Sequence, residues 1–372
     1  MKYKKFKDIE LSRLGMGNMR LPSVDPKNPN APIDHPEAIK LIRRAYDEGI
    51  NYFDTAYVYN DGDSEKCVGE AMSVLPRDSY YLATKFYIDA TEDYEAVFEE
   101  QLKRLQTDRI DFYLIHCVVD GNADRYIKSG AIEYFLEQKK KGRITYLGFS
   151  SHAGVDTLRR FADHHDWDFA QIQLNYYDWN YSTTKEEYKI LEERNIPIMV
   201  MEPVRGGRLA DLTPEAEELL RKAHPDWSIA AWALKFVKSL PQVQVILSGM
   251  STMGQLEDNL ATFSEDEPLS DEDMATLMKA CDMFKNQVQV PCTECRYCCS
   301  GCPKEINIPG YLKLYNSYKV DGVWALSGAS EIESKGKPAD CIGCGACTKH
   351  CPQSIDTPAI MVKLAEALNN NK

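Results

Sequence analysis

The chain has 372 residues, of which 44% are apolar, and it carries 57 acidic side chains against 44 lysines and arginines. A chain of this length usually folds as more than one compact domain. The net charge of −13, with no concentrated basic segment, argues against a nucleic-acid partner. The sequence has no long apolar run and no apolar segment at its N-terminus, so it predicts a cytoplasmic protein with no membrane association.

Repeated β-α units are predicted for most of the chain. The opening segments KYKKF and IELSRLG predict a small hairpin, and eight β-branched or aromatic segments then alternate with amphipathic ones such as HPEAIKLIRRAYDEG. The predicted strands are LGMGNM, INYFDT, YYLATKF, IDFYLIH, ITYLGFS, FAQIQLN, IPIMVME and VQVILSG. Eight strands with helical crossovers predict a closed (β/α)8 TIM barrel. An open doubly wound sheet is the alternative, but GMGNMR does not form the G-x-G-x-x-G turn of such a sheet.

Four polar side chains follow the second, third and fourth predicted barrel strands, at the end where barrel enzymes hold their active sites. They are Asp54, Tyr59, Lys85 and His116. An ammonium stabilises a neighbouring phenolate, so Lys85 would make Tyr59 a better proton donor. Asp54 would keep Lys85 charged, and His116 would donate a hydrogen bond to a substrate carbonyl that receives hydride from a nicotinamide. Each residue alone also fits a structural role, such as a helix cap or a core histidine, but their joint placement favours catalysis.

Six segments together resemble the aldo/keto reductase superfamily, in order and over about residues 1–263. They are LGMGNMRLP, INYFDTAYVYNDGDSE, GRITYLGFSSH, QIQLN, MEPVRGGRLA and GMSTMGQLEDNL. The resemblance implies that the four polar residues are the catalytic tetrad of that family. It also implies that Ser150 and Gln171 bind the nicotinamide carboxamide, and that Met201 lies where many relatives stack an aromatic ring on the nicotinamide.

The remaining cofactor contacts are also implied by the resemblance. Glycine lets backbone amides approach an anion closely, so the pyrophosphate is expected at Arg205, Gly206 and Gly207, although an ordinary glycine-rich loop is the alternative. The adenosine end is expected at Gly249, Ser251, Gln255 and Asn259. NADP-dependent relatives place cations there, whereas Gly249 and Gln255 are uncharged and would leave a 2′-phosphate poorly compensated. NAD(H) is therefore predicted in preference to NADP(H).

Two segments near the C-terminus share the cysteine pattern C-x-x-C-x-x-C-x-x-x-C-P. Three closely spaced thiolates bind one cubane, and the fourth binds the other cluster in two-cluster ferredoxins. One predicted [4Fe-4S] ligand set is Cys292, Cys295, Cys298 and Cys351, and the other is Cys341, Cys344, Cys347 and Cys302. Structural zinc is the alternative, although four-coordinate zinc has no use for the third C-x-x-C step. Cys299 could replace Cys298 as a ligand, tune the potential as a neighbour, or have no role.

The segment IPGYLKLYNSY, between the cysteine motifs, predicts an amphipathic helix. The tail resembles helical two-cluster ferredoxin modules, and the whole chain resembles the iron-sulfur aldo/keto reductases. The predicted domains are a reductase barrel over residues 1–284 and a small α-helical ferredoxin-like domain over residues 285–372.

These features predict an oxidoreductase that interconverts a small-molecule carbonyl and alcohol and exchanges single electrons with a ferredoxin, a flavodoxin or another redox partner. Hydride transfer moves two electrons together and a cubane passes them singly, so direct coupling needs an intermediary, for which FMN in the barrel is one candidate. One alternative is an uncoupled reductase with structural or oxygen-sensing clusters. The other is a non-enzymatic electron-transfer or regulatory subunit with a vestigial barrel.

Overall fold

The computed structural model describes residues 1–25, 31–265, 267–285 and 289–370, and at residues 320–322 and 324 it describes the backbone only. The chain divides into two compact units: Met1–Val204 with Asp226–Met274, and Arg205–Pro225 with Ala275–Lys372. The sequence did not predict that residues 205–225 belong to the second unit. The predicted domain boundary between residues 284 and 285 stays a prediction.

The first unit contains a hairpin and a barrel. The strands are β1 Tyr3–Phe6, β2 Ile9–Ser12, β3 Leu14–Gly17, β4 Tyr52–Asp54, β5 Tyr81–Phe86, β6 Ile110–Val118, β7 Ile144–Ser151, β8 Phe169–Gln173, β9 Ile198–Met201 and β10 Val243–Gly249. Strands β1 and β2 pair antiparallel, which confirms the predicted hairpin. Strands β3 to β10 close into a parallel barrel, with β10 pairing to both β3 and β9. This confirms the predicted (β/α)8 barrel and excludes the open sheet.

Helices connect the strands, as the amphipathic segments predicted. The α-helices are α1 His35–Asp47, α2 Asp63–Met72, α3 Tyr94–Arg104, α4 Ala123–Lys128, α5 Ala131–Lys140, α6 Val155–Asp163, α7 Tyr176–Tyr181, α8 Thr184–Glu193, α9 Pro214–Ala223, α10 Ile229–Lys238, α11 Met253–Thr262, α12 Asp271–Lys285, α13 Ile308–Asp321, α14 Ala346–Lys349 and α15 Thr357–Asn370. Shorter 3-10 segments cover Asn18–Arg20, Tyr59–Gly62, Arg77–Ser79, Arg205–Ala210, Gly322–Glu331 and Pro338–Asp340. Local capping fixes several starts; the Asp34 side chain, for example, accepts a hydrogen bond from the Glu37 N–H at the start of α1.

Aromatic side chains fill the N-terminal end of the barrel. Phe6 from the hairpin packs its ring 5.4 Å from the Phe112 ring and 5.0 Å from the Tyr146 ring. Phe112 and Tyr146 lie near the starts of β6 and β7, so the hairpin closes this end with apolar contacts.

The second unit has its own apolar core, in which Leu312 of α13 and Met361 and Leu364 of α15 are buried. Helix α13 confirms that the segment between the cysteine motifs is helical, although most of its described side chains are buried or partly buried and only Lys313 and Lys319 are exposed. A core shared by two helices gives this unit a fixed frame for the loops that carry the cysteines. Across the described ranges, none of the helices has the length and apolarity that a bilayer crossing requires.

Candidate functional site

Neighbouring strands of the barrel bring the predicted catalytic side chains to one edge. Asp54 ends β4, Lys85 lies one residue before the end of β5, and His116 lies two residues before the end of β6. Tyr59 begins the 3-10 segment that follows β4. The carboxyl ends of adjacent parallel strands meet at the same face of a barrel, so these side chains converge although they are far apart in sequence.

Lys85 is the centre of the group. Its Nζ donates to Asp54 Oδ1 at 2.5 Å and to the Thr55 carbonyl at 2.6 Å, and it lies 3.4 Å from Tyr59 Oη. The same Nζ is 4.8 Å from the centroid of the Tyr59 ring. Asp54 and Lys85 are both buried. The structure thus places an enclosed ion pair beside a phenol.

Burial acts on both partners of this ion pair. It lowers the pKa of Lys85 and raises the pKa of Asp54, because each charged form loses its hydration, and the contact between the two groups opposes both shifts. Each charge therefore depends on the other. Removing either side chain would leave an uncompensated charge in the barrel, which is costly.

His116 contributes a neutral imidazole. Its ring meets the Tyr59 ring edge-on with centroids 5.8 Å apart, and it contacts the Tyr87 ring in the same way at 5.4 Å. Burial, the Lys85 cation and the neighbouring His152 lower the pKa of His116 well below its usual range. A neutral imidazole keeps one N–H donor, which is the form that can hydrogen-bond a carbonyl oxygen.

A polar network behind Lys85 was not predicted from the sequence. The Gln101 amide donates to the Lys85 carbonyl at 3.0 Å and to Glu65 Oε1 at 2.8 Å, and Arg104 pairs with Glu65 Oε2 at 3.1 Å. The Glu65 charge, like that of Asp54, opposes the lowering of the Lys85 pKa by burial. One signal was available in the sequence, because Glu65 shares a helix face with the buried Val68 and would be a charge on the apolar side of α2.

The residues expected at the nicotinamide end lie side by side. Ser150 and Gln171 are directly opposite each other in the register of β7 and β8, and both side chains are buried. Ser150 Oγ accepts from the Cys117 N–H at 2.8 Å, and the Gln171 amide nitrogen lies 3.5 Å from Met201 Sδ. Within the described residues, Gln171 Oε1 has no hydrogen-bond partner. A buried acceptor of this kind suits the NH2 group of a carboxamide.

The residues expected at the adenosine end run from the last residue of β10, Gly249, through Ser251 in the following loop to Gln255 and Asn259 in α11. The Ser251 N–H donates to Gln255 Oε1 at 2.7 Å, and the Asn259 amide donates to Ser248 Oγ at 2.8 Å. Gly249 lies against Arg20, since a Cβ added at Gly249 would be 3.4 Å from Arg20 Cβ and 3.5 Å from its Cδ. This cation is not predictable from local sequence, because Arg20 follows the first barrel strand and Gly249 ends the last.

The glycine-rich segment after β9 lies in the second unit, whereas the other predicted cofactor residues lie in the first. Arg205, Gly206 and Gly207 all have left-handed backbone, with φ of 51°, 66° and 92°, which accounts for the two glycines. Burial and the neighbouring Arg205 lower the pKa of Arg208, and Glu294 and Cys292 oppose that change. The Arg208 guanidinium is therefore close to a predicted cluster ligand within the second unit.

Two cavities in the second unit collect the eight predicted cluster cysteines. One is lined by Cys292, Cys295, Cys298 and Cys351. The other is lined by Cys302, Cys341, Cys344 and Cys347. Each cavity takes three cysteines from one motif and the fourth from the other motif. Thr357, the first residue of α15, lines both cavities.

The donor set and its spacing fit cubanes better than single metal ions. Each cavity is lined by four cysteines, and each motif contains a third C-x-x-C step for which four-coordinate zinc has no use. A cubane needs thiolates spread around its corners, in surroundings such as these cavities. Cys299 lines neither cavity, and its hydrogen bond with Cys298 lowers the pKa of Cys299.

The fold and the enclosed Asp-Lys-Tyr-His group are those of a barrel oxidoreductase. The chain belongs to the aldo/keto reductase family, whose model matches residues 13–282. A model of the 4Fe-4S dicluster domain matches residues 291–355. The protein is thus an aldo/keto reductase-family oxidoreductase with a C-terminal 4Fe-4S domain.

Known proteins resemble the barrel region. An uncharacterized oxidoreductase of Bacillus subtilis, YqkF, is 28% identical over 290 residues, which cover 68% of this chain and 87% of that protein. L-galactose dehydrogenase of Arabidopsis thaliana is 26% identical over 283 residues, covering 70% of this chain and 87% of that protein. The solved holo form of an aldo-keto reductase from Bacillus halodurans has a TM-score of 0.63 and 26% identity, covering 75% of this chain and 96% of the other. An aldo-keto reductase of Klebsiella pneumoniae, solved in complex with NADPH, shares the fold with a TM-score of 0.60 at 23% identity, covering 75% of this chain and 95% of the other.

Proposed function

We propose that this enzyme interconverts a small-molecule carbonyl and its alcohol with a nicotinamide cofactor at the C-terminal end of the barrel. The observation that carries the proposal is the buried contact of Lys85 with both Asp54 and Tyr59. A lysine enclosed between a carboxylate and a phenol is costly to bury, and a proton-donating site explains that cost.

The four side chains divide the work in the direction of reduction. Tyr59 donates its phenolic proton to the carbonyl oxygen, and the ammonium of Lys85 stabilises the phenolate that is left. Asp54 keeps Lys85 charged, and the neutral His116 donates a hydrogen bond that orients the carbonyl. When bound, the reduced nicotinamide supplies hydride to the carbonyl carbon. In the direction of oxidation, the Tyr59 phenolate accepts the proton of the alcohol.

Ser150 and Gln171 would hold the carboxamide of the nicotinamide, and Met201 would pack on its ring. The free acceptor at Gln171 Oε1 and the direct pairing of Ser150 with Gln171 support this assignment. Arg205, Gly206 and Gly207 stay proposed as pyrophosphate contacts on the basis of their left-handed backbone.

NAD(H) is the proposed cofactor. Gly249 and Gln255 carry no charge, and the side-chain oxygen of Gln255 already accepts from Ser251. NADP(H) is a second candidate, because the Arg20 side chain runs against Gly249 and a cation there could neutralise a 2′-phosphate. The ratio of kcat/KM for NADH and NADPH tests the choice, and a clear preference for NADPH would reverse it.

The second unit is proposed to hold two [4Fe-4S] clusters, each bound by the four cysteines that line one cavity. When bound, such clusters transfer electrons singly, so the proposed enzyme exchanges electrons with a ferredoxin or flavodoxin type of carrier. A reducing cytoplasm suits thiolate ligands of this kind. Cofactor analysis would also show whether FMN is bound.

Anaerobic purification followed by iron, sulfide, flavin and nicotinamide analysis tests the cofactor set. Two cubanes require about eight iron atoms per chain. Iron near zero with stoichiometric zinc would refute the clusters. If NADH with substrate fails to bleach the cluster absorbance while turnover continues, the enzyme is an uncoupled reductase.

A further inference from the structure

The two proposed cluster sites differ in how far their cysteines are exposed. Cys292 is buried and the other three cysteines of its cavity are partly buried. Of the twelve cysteines, all of which lie in the described ranges, only Cys344 is exposed, and it lines the second cavity. Electron transfer to a protein partner needs one cluster edge near the surface, and this is where the second unit offers one.

The loop around Cys344 is open and partly apolar. Ile342, which also lines the second cavity, is 62% exposed. Gly343 and Gly345 have left-handed backbone, and a Cβ added at either glycine would meet nothing within 4 Å. The glycines are therefore needed for the backbone conformation and not for close packing, and the face of the loop stays accessible.

The C-terminal segment that carries this loop differs in charge from the whole chain. Residues 275–372 contain eleven lysines and arginines against nine acidic residues, whereas the whole chain has 44 against 57. Lys304 is exposed and lines the second cavity, and its neighbour Glu305 is paired with Lys335 at 2.5 Å. The mouth of the cavity thus combines an apolar side chain with a cation, in an otherwise acidic protein.

We infer that the surface formed by Lys304, Ile342 and Cys344 is the docking site of a small acidic one-electron carrier protein. The inference rests on the proposed function, because it requires a cluster in the second cavity. The carrier would cover Ile342 with an apolar contact, while Lys304 steers its acidic surface toward the cluster edge. Each event moves one electron from a reduced cluster to the carrier and returns the cluster to its oxidised form.

The test uses the full-length enzyme with its clusters reduced beforehand by dithionite, so it does not depend on nicotinamide chemistry. After removal of excess dithionite, the enzyme is mixed with oxidised flavodoxin, and one-electron-reduced flavodoxin, which takes up a proton from solvent, is followed by stopped flow. Lys304→Glu and Ile342→Glu should slow this reaction by about tenfold or more at low salt. Wild-type rates should fall as ionic strength rises, because salt screens the attraction.

Val362→Glu is the matched control. Val362 is 55% exposed in the same unit and lines neither cavity, and its replacement changes the charge by the same amount as Ile342→Glu. Its rate should stay near that of the wild type. Reduction of benzoquinone, a small oxidant that needs no docking surface, should be unchanged in all three variants. Ile342→Ser serves as a milder replacement if Ile342→Glu loses iron, and it should show a smaller slowing.

The outcomes separate the two proposals. Wild-type enzyme without iron-sulfur clusters overturns both the clusters and the docking site. Intact clusters with equal flavodoxin rates in Lys304→Glu, Ile342→Glu and Val362→Glu overturn the docking site alone. A tenfold loss confined to the first two variants, with normal benzoquinone rates, supports it.

Discussion

Replacing Tyr59 by phenylalanine removes a single oxygen atom from the proposed active site. That oxygen lies 3.4 Å from Lys85 Nζ, while Asp54 at 2.5 Å continues to hold the lysine charged. The phenylalanine ring keeps the edge contact with His116 and the place beside the Lys85 ammonium. We therefore expect the free energy of unfolding to change by no more than about 1 kcal/mol.

The effect on turnover should be much larger. Losing a positioned general acid typically lowers the rate by about 10² to 10⁴, which corresponds to about 2.7 to 5.4 kcal/mol in the activation barrier. The assay is steady-state carbonyl reduction monitored by nicotinamide absorbance, together with cofactor affinity from fluorescence. Nicotinamide affinity should stay within about twofold, because Tyr59 acts on the substrate.

Tyr57→Phe is the matched control for this experiment. Tyr57 lies two residues earlier in the same loop, and its hydroxyl donates to Glu100 at 3.2 Å instead of to the ion pair. Its removal should leave kcat nearly unchanged. The reasoning is refuted if Tyr59→Phe keeps most of its kcat, or if Tyr57→Phe loses as much.

Further substitutions test the Asp54–Lys85 ion pair, the proposed adenosine end and one of the cysteine-lined cavities. In the wild type, the rate of carbonyl reduction should fall as pH rises through the lowered pKa of Lys85. Asp54→Asn should move this fall in rate to lower pH and reduce the free energy of unfolding by about 3 to 5 kcal/mol, because Lys85 loses its buried partner. A pH profile of the rate that the substitution leaves unchanged would contradict this role of Asp54. Arg20→Gln should weaken NADPH binding about tenfold with little effect on NADH, as measured by fluorescence titration, and equal weakening would exclude Arg20 as a 2′-phosphate contact. Burial raises the pKa of the Cys347 thiol, and a hydrogen bond from Thr357 opposes that rise. Thr357→Val should therefore lower one cluster potential by about 40 mV in an EPR-monitored titration, whereas Thr357→Ser should leave the potential unchanged. An unchanged potential in Thr357→Val would contradict this role of Thr357.

The barrel and the convergence of the candidate catalytic side chains could be predicted because the relevant information is local. Alternating segments define each strand, and parallel closure then carries the residues at the strand ends to a common face. The convergence of Asp54, Lys85 and His116 could be predicted from their positions at the ends of strands alone. The crossed cysteine sets were likewise predictable, because the spacing within each motif leaves its fourth cysteine for the other cluster.

What the sequence did not predict depends on packing between distant elements. Gln101 and Glu65 approach Lys85 only because α2 and α3 pack against β5 in a particular rotation. Arg20 reaches Gly249 only because closure of the barrel makes the first and last strands neighbours. Assignment of residues 205–225 to the second unit is also a long-range property, since the sequence of that segment continues the barrel pattern without a break.

The proposed coupling has to reconcile a two-electron donor with one-electron acceptors. A cubane accepts one electron at a time, so an intermediary such as a flavin would have to split the hydride pair, and two cubanes in one unit would then accept the two electrons in succession. The two cavities share Thr357 but differ in their surroundings. Arg208 is near Cys292 of the first cavity, whereas the second cavity contains the exposed Cys344. A cluster in the second cavity would pass its electron to a carrier and, once reoxidised, could accept the second electron. If the proposed coupling holds, the two cysteine motifs are accounted for by the need to store both electrons of a hydride pair.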